Sequence, residues 1–302
     1  MTGAGSGDLV IDIEDSFTTA PSTPDPHRLG RNPTVDSSQL LNNTEELSQD
    51  GEIENQETQP QRFRGELTLS SYVSGSTYPT IMDFVFDGAG VFSGPKPTSA
   101  RIYEGVDYAT GVAQKEWVGC IPQSYKLLWD GDRLRQTLSV LAADVNYDTS
   151  ITPSDVTGPA LDSTVPRHGM SLDIDSTTVS RLQSAELSIE NIAQLIYGPP
   201  RIAIDTSMQK PTTSLSMAAI LGDNTPSRIE AALGGTGATT PQDDVQPRSA
   251  TITLDSASST VATWTLPQIT PDTYSWSDVV GEANAMEEID YPVTGGVEVS
   301  TP

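Results

Sequence analysis

Hydrophobic and polar positions alternate with a period of two over much of this chain. Phe63, Gly65, Leu67 and Leu69 fall on one face, with Arg64, Glu66, Thr68 and Ser70 on the other, the pattern of a strand with one wet side. Tyr125–Trp129 and Leu134–Leu141 flank Asp130-Gly131-Asp132, and Asp-Gly between two apolar runs predicts a hairpin. Later, Ile252 and Leu254 share a strand face, and a return strand carries Val261, Trp264 and Leu266. Helical spacing is rare. Ile81, Phe84 and Val85 follow Pro79 and stop at Gly88, which predicts a short helix lying on a sheet. Residues 88–101 read as a loop, and 292–302 (PVTGGVEVSTP) as a tail or short edge strand.

The order strand, helix, hairpin occurs once in each half. GDLVIDIEDSF (7–17) has a counterpart in QSAELSIENIA (183–193), and RGELTLSSYV (64–73) in TTSLSMAAIL (212–221). A proline-led helical stretch ending at glycine follows each, PTIMDFVFDG (79–88) and PSRIEAALGG (226–235). Two-stranded units come next, 121–144 and 249–269. The expected organisation is a mainly β chain with a first module at 1–145, a linker at 146–180 and a second module at 181–302. The alternative is that 181–302 completes the first module.

Residues 18–61 are polar, rich in proline and acid, and nearly free of periodicity. That composition reads as disorder or as a long arm. An arm ordering on a neighbouring subunit and a surface loop are both open.

Composition adds a strong electrostatic constraint. The 302 residues hold 41 Asp and Glu against 16 Lys and Arg, a formal charge of −25, and only 35% are hydrophobic. Lysine occurs only at 96, 115, 126 and 210. Such a charge opposes compaction in dilute buffer, but at about 1 M salt the screening length falls to about 3 Å. Acid excess with scarce lysine therefore suits concentrated salt; plain solubility is the alternative. No Lys/Arg cluster is present to neutralise phosphates, which disfavours sequence-independent DNA binding. No apolar run approaches a membrane helix, and residues 1–10 lack the features of a secretory signal, so a soluble protein made in a cytoplasm is expected.

Catalytic furniture is sparse. His27 and His168 lie in proline-flanked loops without a nucleophile context. Cys120 is the single cysteine and reads as a small buried hydrophobe. GAGVFSG (88–94) and GGTGATT (234–240) lack the Gly-Lys-Ser/Thr ending of a phosphate loop. Asp144–Asp155 places oxygen ligands at calcium-loop positions 1, 3, 5, 7 and 12, with Ile151 at the eighth. Thr149 stands where glycine is wanted and a strand precedes, so a plain loop is the competing reading. Asn42-Asn43-Thr44 matches a glycosylation sequon. No catalytic, cofactor-binding or metal-ligating set is expected, and no enzyme.

Taken in order, RGELTLSSY, PTIMDFVFDG, the Trp117-Val-Gly-Cys120 opening and the 125–140 hairpin resemble the tail tube proteins of tailed, siphovirus-type viruses. SAELSIENIA, the TWTLPQI ending and Pro292-Val-Thr-Gly295 add to the likeness, which covers most of the chain. The resemblance implies a β-sandwich or half-barrel with short flanking helices, whose sheets join side by side into rings that stack as a channel for viral DNA. It implies homo-oligomeric rings, hexameric or pseudo-hexameric and trimeric, other tail proteins as partners, and location in the virion tail after synthesis in the host cytoplasm. Residues 18–61 would clasp the adjacent ring, and an acidic lumen would let DNA slide without specific binding or a membrane role. With the acidic composition, the implied source is a virus of a halophilic archaeon. The competing classes are a capsid or connector protein and a surface adhesion module of a halophile.

Overall fold

The computed structural model describes residues 7–47, 57–86, 88, 90–108, 111–130, 133–147, 164–257, 259–280 and 284–302. The chain is mainly β, with antiparallel pairing throughout and two short α-helices among those residues. The first series of elements is β1 (Gly7–Ile13), β2 (His27–Arg28), β3 (Arg31–Leu41), β4 (Thr44–Leu47), β5 (Glu57–Pro60), β6 (Arg64–Tyr72), α1 (Tyr78–Phe86), β7 (Ala100–Tyr108), β8 (Gly111–Trp129), β9 (Leu134–Ala142) and β10 (Asp144–Tyr147). The second is β11 (Met170–Ile174), β12 (Thr177–Thr178), β13 (Leu182–Glu190), β14 (Ala193–Tyr197), β15 (Ala203–Met208), β16 (Thr212–Ile220), α2 (Thr225–Leu233), β17 (Arg248–Asp255), β18 (Thr260–Ile269), β19 (Thr273–Ser277), β20 (Met286–Thr294) and β21 (Glu298–Ser300).

The two series pair in the same order. In the first, β3, β6, β9 and the C-terminal part of β8 lie side by side. In the second, β13, β16, β20 and β19 do the same. A second layer orders β2, β1, β7, the N-terminal part of β8 and β10. Its counterpart orders β12, β11, β17, β18 and β21. The hairpins β4–β5 and β14–β15 occupy the same place, between the first two strands of the four-stranded rows.

β8 runs through both layers. Its residues 111–120 pair with β7 and its residues 121–129 with β9. The corner lies at Gly119, whose φ of +61° a side chain tolerates poorly. An added Cβ there would meet Phe17 and Thr18 at 2.9 Å. Glu14 fixes the corner: its fully buried carboxylate accepts from the Gly119 N–H at 3.1 Å, the Thr18 N–H at 2.9 Å and the Ser99 hydroxyl at 2.7 Å. Burial, opposed by those bonds, pushes the Glu14 carboxyl above its ordinary value. In the second series a break around Pro271 separates β18 from β19 at the corresponding turn.

Both layers contribute to one core. Gly65 of β6 lies so close to Trp117 of β8 that a Cβ would stand 2.6 Å from the indole. Helix α1 buries Tyr78, Ile81, Phe84 and Phe86, a wider apolar face than its spacing alone suggests.

Three sequence expectations change. Residues 18–61 do not lack periodic structure throughout: within them β3 adds eleven residues to the sheet edge, bonded to β6. Backbone pairing needs no apolar pattern, and a polar edge strand hides from periodicity. The expected linker at 146–180 contains β11 and β12, with β11 paired along its length to β17. Finally, β1 corresponds in pairing order to β11 rather than to 183–193, and the 121–144 hairpin to β19–β20 rather than to 249–269. Half-buried strands share a period of two whatever their position, so similar alternation does not identify equivalents. Residues 292–302 do include an edge strand, β21 on β18.

Candidate assembly edges and inner face

The two four-stranded rows join into one eight-stranded sheet. The outer edge of β8 pairs antiparallel with β13, setting Tyr125 opposite Ile189, Leu127 opposite Leu187 and Trp129 opposite Ala185. All six are buried; Ile189 is 0% and Leu127 2% exposed. On the opposite face of the seam, Lys126 Nζ lies 3.2 Å from Glu186. Beneath it, Tyr125 stacks on Trp264 with centroids 5.8 Å apart, and Phe86 meets the same indole edge-on at 5.5 Å.

The edges equivalent to these two remain open. Among the described residues β3 pairs only with β6, and β19 only with β20. Matching registers assign the equivalents. Leu67 corresponds to Leu215 and Gly65 to Thr213, so Leu40 takes the place of Ile189. By the same route Tyr274 takes the place of Tyr125, and Trp276 that of Leu127. Each tyrosine hydroxyl meets a buried side chain on the neighbouring strand, Tyr125 with Gln136 at 3.3 Å and Tyr274 with Glu287 at 3.0 Å. Burial pushes the Tyr274 phenol up to about 12. Exposure separates the equivalents: Leu40 is 49% and Trp276 50% exposed.

The face of this sheet turned away from the core is lined by hydroxyls and acids. Thr68, Thr137, Ser139, Ser214, Ser216 and Ser275 alternate with core residues along their strands. Acids at Asp36, Glu66, Glu186, Glu288 and Asp290 outnumber the basic residues Arg64, Lys126, Arg133 and Arg135. Asp290 accepts from Thr273 at 2.7 Å, and hydroxyls from Ser216 and Thr273 hold its carboxyl below its ordinary value. Arg64 pairs with Glu66 and Lys126 with Glu186, while Arg133 and Arg135 lie over the Tyr72 ring.

The residues singled out by sequence are scattered. His27 lies on β2, its Nε2 3.2 Å from Asp25, while His168 sits exposed in the turn before β11. Cys120 is fully buried at the β8 corner, its thiol pushed well up by burial and within 3.5 Å of the Trp117 carbonyl. Within GAGVFSG, Gly90 O accepts from the Val299 N–H at 2.8 Å. GGTGATT closes α2 and lines an open cavity of about 540 Å³ with Asp243, Asp244 and Gln246. Of the calcium-type spacing, Asp144–Tyr147 form β10 and 148–155 lie outside the described residues. Asn42-Asn43-Thr44 makes the turn into β4. No cluster of three or more His, Cys, Asp or Glu able to hold a metal occurs among the described residues, and no helix there could cross a membrane.

Leu40, Tyr274 and Trp276 escaped the sequence reading. The available signal was TPDTY (270–274) repeating the Pro and Tyr spacing of IPQSY (121–125). No family model matches this chain, and no curated protein matches it.

Proposed function

We propose that this chain is the tube subunit of a viral tail, a duplicated β-sandwich module whose copies close into rings that stack around a channel for DNA. The observation that carries the reading is the seam between β8 and β13: the chain joins two like modules edge to edge and leaves the same two edges open at its ends. A contact between unlike edges generates either a ring or an open helix when repeated. Three chains supply six modules, so the ring is a trimer with pseudo-sixfold symmetry. The hydroxyl-lined, acid-rich face then forms the channel wall, where carboxylates repel phosphate and few cations bind it.

Within residues 18–61, the β4–β5 hairpin serves as the arm that reaches the next ring, and β14–β15 serves as its second copy. The tip of β14–β15 meets the base of β4–β5, where Arg201 donates to Gln61 O at 3.0 Å and to Asn42 Oδ1 at 2.9 Å. Ile202 and Ile204 beside them are 42% and 54% exposed, apolar surface suited to a neighbouring ring. The net charge of −25 supports a virus whose host lives in concentrated salt.

Electron microscopy of the purified chain in concentrated salt tests this. Hollow polymers of uniform width, with three bilobed subunits in averaged cross-sections, are expected. Six identical single-lobed subunits, or a protein that stays monomeric at every concentration and salt, would overturn it.

A further inference from the structure

The seam inside the chain carries enough detail to specify the seam between chains. We infer that β19 of one chain pairs antiparallel with β3 of a second copy, in the register that β8 and β13 already show. This rests on the ring reading above but makes a separate claim, about which atoms meet.

The register follows by substitution of equivalents. Within the chain Tyr125 stands opposite Ile189, Lys126 opposite Ser188, Leu127 opposite Leu187 and Leu128 opposite Glu186. Replacing each by its counterpart sets Tyr274 opposite Leu40, Ser275 opposite Gln39, Trp276 opposite Ser38 and Ser277 opposite Ser37. The chemistry is compatible at every pair. Tyr274 and Trp276 pack in a T-shaped arrangement, with centroids 6.4 Å apart and the indole N–H on the phenol oxygen at 2.7 Å. They form a preset aromatic step at the rim of the core. Leu40 would close over it, as Ile189 closes over Tyr125. Aromatic–aliphatic cross-strand pairs of this kind are among the favourable ones. The pairs on the other face join hydroxyls and an amide, so no like charges oppose each other.

The same comparison explains why two large apolar side chains stand half exposed at opposite ends of an otherwise polar sheet. An edge strand presents unpaired N–H and C=O groups, and an aromatic-rimmed edge left open invites pairing. Here the occupant is fixed by the chain's own second edge: a copy of this protein. A central aromatic anchored against an aliphatic partner is also the composition of an interface hot spot.

Cysteine pairs test the register. Gln39 and Ser275 are both exposed and on the outer face, so Gln39→Cys with Ser275→Cys should leave the monomer folded. Under mild oxidation in concentrated salt, this double variant is expected to give covalent products that stop at three chains. Gln39→Cys with Thr273→Cys, two residues out of register, should link at least about tenfold less, because diagonal neighbours lie too far apart for a disulfide. Separately, Leu40→Asp should raise the concentration needed for assembly by tenfold or more while leaving the monomer's melting temperature close to that of the parent.

Equal linking by both cysteine pairs, or no linking by either while the parent forms tubes, would overturn the register and leave the tube reading intact. Efficient linking of the Gln39→Cys, Ser275→Cys variant, with a parent that makes an open ladder rather than rings, would support the register and overturn the tube reading.

Discussion

Trp264 donates its indole N–H to the Tyr78 hydroxyl at 3.0 Å, a bond between residues 186 positions apart that ties the second half of the chain to the first helix. Tyr78 in turn meets Tyr125 at 3.1 Å, and all three side chains are fully buried. Tyr78→Phe leaves the indole N–H without an acceptor and is expected to cost about 1–3 kcal/mol. Trp264→Ala should cost about 3–5 kcal/mol through the cavity it opens. Urea unfolding followed by tryptophan fluorescence and circular dichroism checks both. Separate unfolding steps for the two halves in the parent would show that this bond does not couple them.

Arg228 and Glu287 form a buried ion pair where the first half places Ile81 and Gln136. Glu287 also accepts from Tyr274, so removing the cation strands a charge. Arg228→Ala alone should destabilise by about 3–5 kcal/mol, whereas replacing both, Arg228→Ile with Glu287→Gln, should be nearly neutral. Equilibrium unfolding of the two variants decides; a double variant as damaged as the single one would refute the equivalence.

The Glu14 carboxyl has its folded-state pKa raised by burial above the ordinary 4.5. The folded chain therefore holds that proton more tightly than the unfolded chain. Its stabilising contribution is complete below about pH 4.5 and declines as pH rises through the raised value. Asp12, raised by burial in the same layer, adds to the slope. Glu14→Gln should flatten the fall in stability above pH 4.5, measured by chemical denaturation at successive pH values. Identical slopes in parent and variant would show that the corner does not titrate.

With 41 acids against 16 bases, the melting temperature should climb between 0.1 M and 2 M KCl, as screening removes repulsion. Calorimetry across that range measures it. A flat response would leave the acid excess unrelated to salt.

Because β3 lies within residues 18–61, deleting the whole segment should unfold the first half. Replacing only Thr44–Pro60 by a short turn should leave a folded monomer whose polymers are short. Long tubes from the shortened chain would remove the bridging role from β4–β5.

Legibility in the sequence tracked the physics of each element. β6, β16 and both helices were readable because one buried face imposes a period, as at Leu67, Leu69, Ile81 and Phe84. The turn at Asp130 was readable from its chemistry. β3 was not, since its exposed polar residues carry no stripe and its order comes from hydrogen bonds to β6. Nor was the crossing of β8 between layers, which depends on one glycine and on Glu14, a residue distant in sequence. The open edges were least legible: exposure of Leu40 and Trp276 acquires meaning only beside their buried equivalents, and alternation alone matched the wrong partners.

The β8–β13 seam is intramolecular, so it forms at an effective concentration set by the connection between the halves and not by how much protein is present. In the proposed six-module ring, three joints would depend on encounter between chains instead of six. Dilution would act on fewer steps, and each arriving chain would bring a joint already closed. Being covalently ordered, the two modules are also free to differ, and Arg228 with Glu287 against Ile81 with Gln136 is such a divergence. A ring of six identical chains would have to carry any such change at all six positions at once.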